Sequence, residues 1–407
     1  NHYSLFPAKF AVYPDLLERA GYHVGYTGKG WAPGDFKAGG WSRNPAGPQY
    51  NRHTLTPPTS TISNKDYAAN FETFLAERPA GAPFCFWYGG HEPHRPYELG
   101  QGRGAGKRTD GVRVPGYLPD DDIVRSDLLD YAVEIEWFDA QLGRMLATLE
   151  RIGELDNTLV VVTSDNGMPF PRVKGQMYEA DFRLPLAIRW GAGMPGGRVI
   201  EDFISFIDFA PTFLEAAGLP VPPEVTGSSF LAVLRSDRSG QVDPSRDRVL
   251  LGRERHDLGR EKDLGYPVRC LRTRQWLYVR NFAPDRWPAG NPETGFTNID
   301  SSPTKSLILK QHEHGQDHYY DLAMGKRPAE ELYRMEDDPD CLHNLADDPA
   351  HAEIKHALWS ELEATLRSQG DPRVFGRGDF FESYPYVGDD CHSWKARVEG
   401  RWQPQRF

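Results

Sequence analysis

The stretch Leu159-Val160-Val161-Val162-Thr163-Ser164-Asp165-Asn166-Gly167 reads as a strand that ends in a turn. An unbroken apolar, β-branched run is the pattern of a strand buried on both faces, and Gly167 permits the sharp turn that follows. In α/β folds the loops at the carboxyl ends of the strands form the binding crevice. Asp165 and Asn166 put two hard oxygen donors at such an end, which is the chemistry of a Ca2+ or Mg2+ site. From this segment alone an ordinary strand-to-turn exit has the same signature.

The same strand-then-polar-loop arrangement recurs upstream. Residues 83–88 (Pro-Phe-Cys-Phe-Trp-Tyr) form an apolar strand that delivers Gly89-Gly90-His91-Glu92-Pro93-His94-Arg95-Pro96. Pro93 between the histidines rules out a zinc pair on one helix. Residues 23–27 read as a strand running into Gly28-Lys29-Gly30-Trp31. A lysine between glycines at a strand exit suits an anion, although a solvated loop lysine looks the same, and the Gly-x-x-x-x-Gly-Lys-Ser/Thr pattern of a P-loop is absent.

Helices are expected at 13–20, 65–77 and 126–152. The last carries Ile135, Phe138, Leu142, Met145, Leu149 and Ile152 in one apolar stripe, with Ser126 as N-cap, and is read as core without chemistry. Strands are expected at 186–190 and 203–207, then a helix at 211–217 behind Asp208, then a linker at 219–247 that wraps away from the sheet. Beyond 248 the strand-like runs 248–251, 266–273 and 275–279 lie close together, which favours antiparallel pairing. A final amphipathic helix follows Asp348-Pro349, with Ile354, Leu358, Leu362 and Leu366 on one face and Gly370 at its end.

The expected fold class is α/β, with a mostly parallel central sheet covered by helices on both faces and a smaller C-terminal antiparallel sheet with a helix. The corresponding divisions are 1–245, 246–370 and an irregular tail, 371–407, packed on the body. A formal charge of −11 over 407 residues argues against nucleic-acid binding, so an anionic ligand needs a local basic pocket. No apolar run reaches the ~20 residues of a membrane span. Four scattered cysteines without Cys-x-x-Cys spacing argue against a zinc ribbon or a disulfide-dense scaffold. Arg253-Glu254-Arg255-His256, Arg269, Arg272 and Arg274 supply forks that match sulfate or carboxylate oxygens, or else a solvated face.

After Ser-Asp-Asn-Gly come Lys174-Gly175, Tyr178-Glu179 and Arg183-Leu184-Pro185. This ordered run, with His-x-x-His after the earlier strand, resembles the sulfatase family of the alkaline phosphatase superfamily. Glu254-Arg255-His256, Tyr266-Pro267-Val268-Arg269 and Arg327-Pro328-Ala329-Glu330-Glu331-Leu332-Tyr333 look most like the heparan N-sulfatase branch. The resemblance implies a hydrolase acting on a sulfated amino sugar or glycosaminoglycan fragment in a periplasmic, secreted or lysosomal setting. Asp165 and Asn166 would bind one divalent cation, Ca2+. Lys29, His94 and Lys174 would hold sulfate, with His94 or Lys174 protonating the leaving atom, and Trp31, Arg255, His256 and Arg269 would meet the saccharide.

Two departures stand out. Trp31 occupies the place where many sulfatases carry a histidine, and the formylglycine hexapeptide Cys/Ser-x-Pro-Ser/Ala-x-Arg is missing. The family's first strand, with its paired metal-binding aspartates, is missing as well. The resemblance therefore implies a fragment that is inactive alone. Its alternatives are a phosphodiesterase or phosphonate hydrolase of the same superfamily and a non-catalytic binder of sulfated glycans. Nothing in the sequence sets an oligomeric state.

Overall fold

The computed structural model describes residues 3–403. Helix α1 (Tyr13–Arg19) leads into strand β1 (His23–Gly28), of which every residue after His23 is buried. Helix α2 (Tyr67–Glu77) follows, its N-cap Asp66 accepting a hydrogen bond from the Ala69 amide at 3.0 Å. Strand β2 (Phe84–Gly89) pairs with β1 in parallel, His23 opposite Phe84 and Gly28 opposite Gly89. The two strands end together because glycine is the only residue their ends admit. A Cβ on Gly28 would lie 2.0 Å from the Gly89 oxygen, and one on Gly89 would lie 1.9 Å from the Lys29 oxygen. Lys29 and the His91–His94 loop thus leave the ladder side by side.

Helix α3 (Asp122–Arg151) starts four residues before the expected position, because Asp121 rather than Ser126 caps it through the Ile123 amide. Met145 and Leu149 join Phe71 and Phe74 of α2 and the aromatic side chains of β2 in one core. Ile135 and Ile152, expected in that core, are 40% and 41% exposed. The buried face of α3 instead includes Asp127, Asp130 and Glu134. These carboxylates face the loop after β2, and that loop supplies their partners.

Strand β3 (Val160–Thr163) pairs with β4 (Leu186–Arg189), Val160 opposite Arg189 and Thr163 opposite Leu186. This ladder is antiparallel. The α/β class expected from the sequence holds, with parallel pairing at β1–β2 and at Ser4–Leu5 with Gly34–Asp35, but the described strands of this half form separate two-stranded ladders and not one continuous sheet. The expected strand at 203–207 is absent. Phe206–Asp208 is a 3-10 turn in which Ser205 and Asp208 cap each other, and helix α4 (Phe209–Ala216) begins directly after it. Residues 219–247 do not wrap away. Phe230, Leu231, Val233 and Leu234 are buried against Trp190, Ile200, Ile204 and Phe209.

The C-terminal half is a four-stranded antiparallel sheet. It contains β5 (Arg248–Arg253), β6 (Val268–Thr273), β7 (Trp276–Asn281) and β8 (Glu330–Arg334), in the order β8-β7-β6-β5. Helix α5 (Pro303–Glu313) lies between β7 and β8, and neither α5 nor β8 was expected from local pattern. Period-two alternation gives the sheet two apolar faces. Leu271, Tyr278 and Leu332 meet Leu358, Leu362 and Leu366 of helix α6 (Ala352–Ser368). Cys270, Leu277, Val279 and Tyr333 meet Met177 and Tyr178. The second face therefore grips the segment just beyond Lys174. Short helices at Pro372–Phe375, Asp379–Glu382 and Trp394–Val398 run over this half, tied to it by Arg373–Glu254 at 2.6 Å and Arg286–Glu382 at 2.8 Å. All four cysteines are free thiols, and no described helix is long and apolar enough to cross a membrane.

Candidate active site

Three loops bring the candidate residues together. Lys29 leaves β1, His94 leaves β2, and Asp165 leaves β3. Burial pushes the Lys29 ammonium below its ordinary value, with Lys174 adding to the effect, while Asp165, Glu92 and Asp300 pull the other way. Burial also lowers His94, and the charges of Lys174 and Lys29 lower it further. Its Nδ1 lies 2.6 Å from the Arg95 carbonyl oxygen, which can only accept, so Nδ1 carries the proton. In the neutral ring Nε2 is then the basic nitrogen.

What holds His94 is the residue beside it. Arg95 donates through both terminal nitrogens to Asp127 of α3, at 2.8 and 2.9 Å, and through Nε to the Pro169 carbonyl at 2.8 Å. The pair is buried, at 5% and 1% side-chain exposure, and Thr304 of α5 donates a further hydrogen bond to Asp127. Farther along the loop, Asp130 accepts the Gly100 and Gly102 amides, and Gln101 donates to Glu134 at 3.0 Å. The acidic face of α3 thus serves as the scaffold of the His94 loop.

A cavity of about 290 Å3 opens between this loop and α3, lined among others by Lys29, His91, Glu92, His94 and Glu134. Glu92 accepts the Ser63 amide at 2.7 Å and the Tyr67 hydroxyl at 2.9 Å. Burial pushes Glu134 up to about 7. Lys174 lies on another side of the cluster, its Nζ donating to Asp300 Oδ2 at 2.9 Å. Behind it, Gly175 has φ +72°, and a Cβ there would lie 2.2 Å from His256 Nδ1, which sets His256 against the backbone next to Lys174. Converging cations of this kind can stabilise negative charge building on an oxyanion and on a departing atom.

The Asp165-Asn166 turn is pinned by the Gly167 amide, which donates to the Asp181 carbonyl at 2.9 Å. Asp165 is exposed and Asn166 donates through Nδ2 to the Gly167 carbonyl at 2.8 Å, which leaves the Asp165 carboxylate and Asn166 Oδ1 as acceptors. The described residues contain no group of three or more His, Cys, Asp or Glu that could hold a metal ion. Two hard oxygen ligands, at most three oxygens, fit Ca2+ in kind but not in number, since that ion takes six to eight.

The remaining candidates meet protein groups. Trp31 stacks on Phe6, with ring centroids 5.2 Å apart. Arg255 donates to the Tyr384 and Pro385 carbonyls of the C-terminal segment. Arg269 pairs with Glu254 at 2.7 Å and Asp371 at 2.6 Å. Sequence reasoning missed Arg95, Asp127, Glu92, Glu134 and Asp300. The spacing of Asp127, Asp130 and Glu134 at steps of three and four was a readable signal for one helix face. Asp300 had none.

The sequence profile of the sulfatase family matches residues 2–219. Human N-sulphoglucosamine sulphohydrolase is 28% identical over 341 residues, covering 72% of this chain and 62% of that protein. An ulvan-active sulfatase of Formosa agariphila is 28% identical over 263 residues, 63% of this chain and 41% of that protein. The chain thus spans 41–62% of the length of these two curated relatives. A solved structure described as bound to its substrate, D-glucosamine-2-N,6-O-disulfate, superposes with a TM-score of 0.60 at 20% identity, covering 91% of this chain and 85% of that one. At that identity the likeness is one of fold.

Proposed function

Because the chain belongs to the sulfatase family, we propose that it forms the sulfate-binding part of a hydrolase that removes sulfate from a sulfated amino sugar or glycosaminoglycan fragment. One observation carries the reading. Lys29, His94 and Lys174, far apart in sequence, lie within electrostatic reach of one another, and Lys29 and His94 line one cavity. Lys29 and Lys174 hold the sulfate oxygens. Neutral His94, drawn toward its protonated form by a bound anion, shares with Lys174 the task of delivering a proton to the departing nitrogen or oxygen. Trp31, Arg255, His256 and Arg269 remain proposed saccharide contacts, of which His256 stands beside Lys174 through Gly175.

Asp165 and Asn166 would supply two oxygens to a single divalent cation, Ca2+, whose chemistry when bound is charge neutralisation on sulfate. The attacking group would be a formylglycine, and the hexapeptide that yields it is not among these 407 residues.

The test is calorimetric titration of the chain with inorganic sulfate and glucosamine-6-sulfate, together with an assay for sulfate release. Binding that is lost in Lys29→Ala and Lys174→Ala supports the reading. Binding without release from a form carrying the hexapeptide would favour a glycan-binding protein. Release of phosphate from phosphonate or phosphodiester substrates in preference to sulfate would favour a phosphoryl hydrolase.

A further inference from the structure

Asp300 has no part in the reading above, yet it stands among the groups that reading uses. Its carboxylate meets Lys174 at 2.9 Å and is 26% exposed, while the lysine side chain is 10% exposed. His94, Arg95 and Lys305 are its other titratable neighbours, and it also acts on Lys29. Arg95 is already committed to Asp127.

The loop that carries Asp300 is fastened from within. Ser302 caps α5 by accepting the Lys305 amide at 3.0 Å. The buried Lys305 side chain turns back to donate to the Phe296 and Ile299 carbonyls, at 3.1 and 2.8 Å. A buried ammonium that donates to two carbonyls of this buried turn fixes the backbone directly before Asp300.

A carboxylate among cations that are to bind an oxyanion has two consequences. In the free protein it neutralises Lys174, so an incoming anion must displace it or share the lysine with it. A bare dianion such as inorganic sulfate gains the cations but keeps an uncompensated carboxylate beside it. A sugar sulfate carries less charge and brings hydroxyl or amino hydrogens that an acceptor can use. Leaving a polar group of the site unpaired is what separates a good ligand from its analogue.

We propose that Asp300 is a specificity-determining residue, which occupies Lys174 in the free protein and accepts a hydrogen bond from the hydroxyl or amino group of a bound sulfated sugar. The assignment rests on the sulfate-pocket reading and adds to it a preference for a sugar ester over the free anion, which is also the product.

The experiment is calorimetric titration of the chain and of Asp300→Asn with sodium sulfate, methyl sulfate and glucosamine-6-sulfate. In the unsubstituted chain the sugar sulfate is expected to bind about tenfold more tightly than the other two. In Asp300→Asn inorganic sulfate tightens by roughly fivefold, the sugar sulfate weakens by about tenfold, and the preference reverses to about fivefold in favour of inorganic sulfate. A change in the same direction and by the same factor for both ligands, or no change, overturns the assignment and leaves Asp300 as a support for Lys174. If Asp300→Asn does not fold, methyl sulfate reads the same contact, because it has no donor. Methyl sulfate binding as tightly as the sugar sulfate overturns the proposal. Failure of all three ligands to bind the unsubstituted chain overturns the sulfate reading itself, and this assignment with it.

Discussion

Strand β6 is hydrogen-bonded to a neighbour on each side and its first five residues are buried, whereas β3, richer in apolar residues, has one neighbour and four half-buried residues. Its partner β4 is largely exposed. Composition makes both segments strands, but the ladder decides how much surface each removes from water. The difference tells where rigidity comes from in each half. The C-terminal sheet is held by apolar packing on two faces. In the N-terminal half the chemistry-bearing loops are held by ion pairs and glycine contacts at the strand ends. At the seam, Arg272 of β6 pairs with Glu179 at 2.7 Å, and Tyr178 donates to Glu331 of β8 at 2.8 Å. The segment beyond Lys174 is therefore anchored in the stiffer half.

The largest expected effect tests the ion-pair side of this contrast. Asp127→Ala leaves Arg95 buried without its partner and is expected to cost about 3–5 kcal/mol in urea unfolding. A loss below ~1 kcal/mol would mean that the His94 loop is held by something else. Next is the packing side. Leu271→Ala, at a fully buried position, should cost about 3 kcal/mol, and Val161→Ala in β3 about 1 kcal/mol or less. Equal costs would break the comparison.

Removing a cation comes third. Lys29→Ala is expected to weaken sulfate binding by roughly 10- to 100-fold in calorimetry, as for the loss of one charge-assisted hydrogen bond. Unchanged affinity would remove Lys29 from the pocket.

The smallest effects differ in their pH dependence. Glu134 has its carboxyl raised to about 7 from 4.5. Its ionised form is therefore disfavoured in the folded state. The cost is absent below about pH 4.5, grows between the two values and is complete above 7. Glu134→Gln should accordingly gain roughly 1 kcal/mol at pH 8 and nothing at pH 4.

Glu382 behaves in the opposite sense. Burial acts to raise its carboxyl, but the Gly265 amide and Arg286 outweigh this and hold it below its ordinary value. The stability it contributes is present above the ordinary glutamate range and is lost as pH falls through the lowered value. Glu382→Gln should cost under ~1 kcal/mol at pH 8 and less on acidification. Thermal melts of the two variants from about pH 2 to pH 8 read both signs. Parallel curves would contradict the assignment of opposite environments.

Much of the candidate site was legible because strand ends are local events. A strand-like run that ends in glycine and polar residues marks Lys29, His94 and Asp165 at strand exits without knowledge of any partner. The same logic misled at 203–207, where an equally apolar run finds no ladder partner and Ser205 with Asp208 closes a turn. It was silent at Glu330–Arg334, whose partner β7 lies about 50 residues away. On α3 the stripe was correctly read as helical and buries Met145 and Leu149 as expected, but it leaves Ile135 and Ile152 exposed, and the helix also buries its acids against the His94 loop.

By itself, then, the amino-acid sequence determined many of the strands and helices, which polar residues leave their ends, and the family to which the order of those residues belongs. Tertiary structure alone decided that Asp300 faces Lys174, that Arg269 is spent on Glu254 and Asp371, and that β3 stays half open. The physical reason is range. Backbone preference and periodicity act over a few residues, whereas burial, pairing and charge neutralisation are properties of groups that only the folded chain brings within a few ångströms.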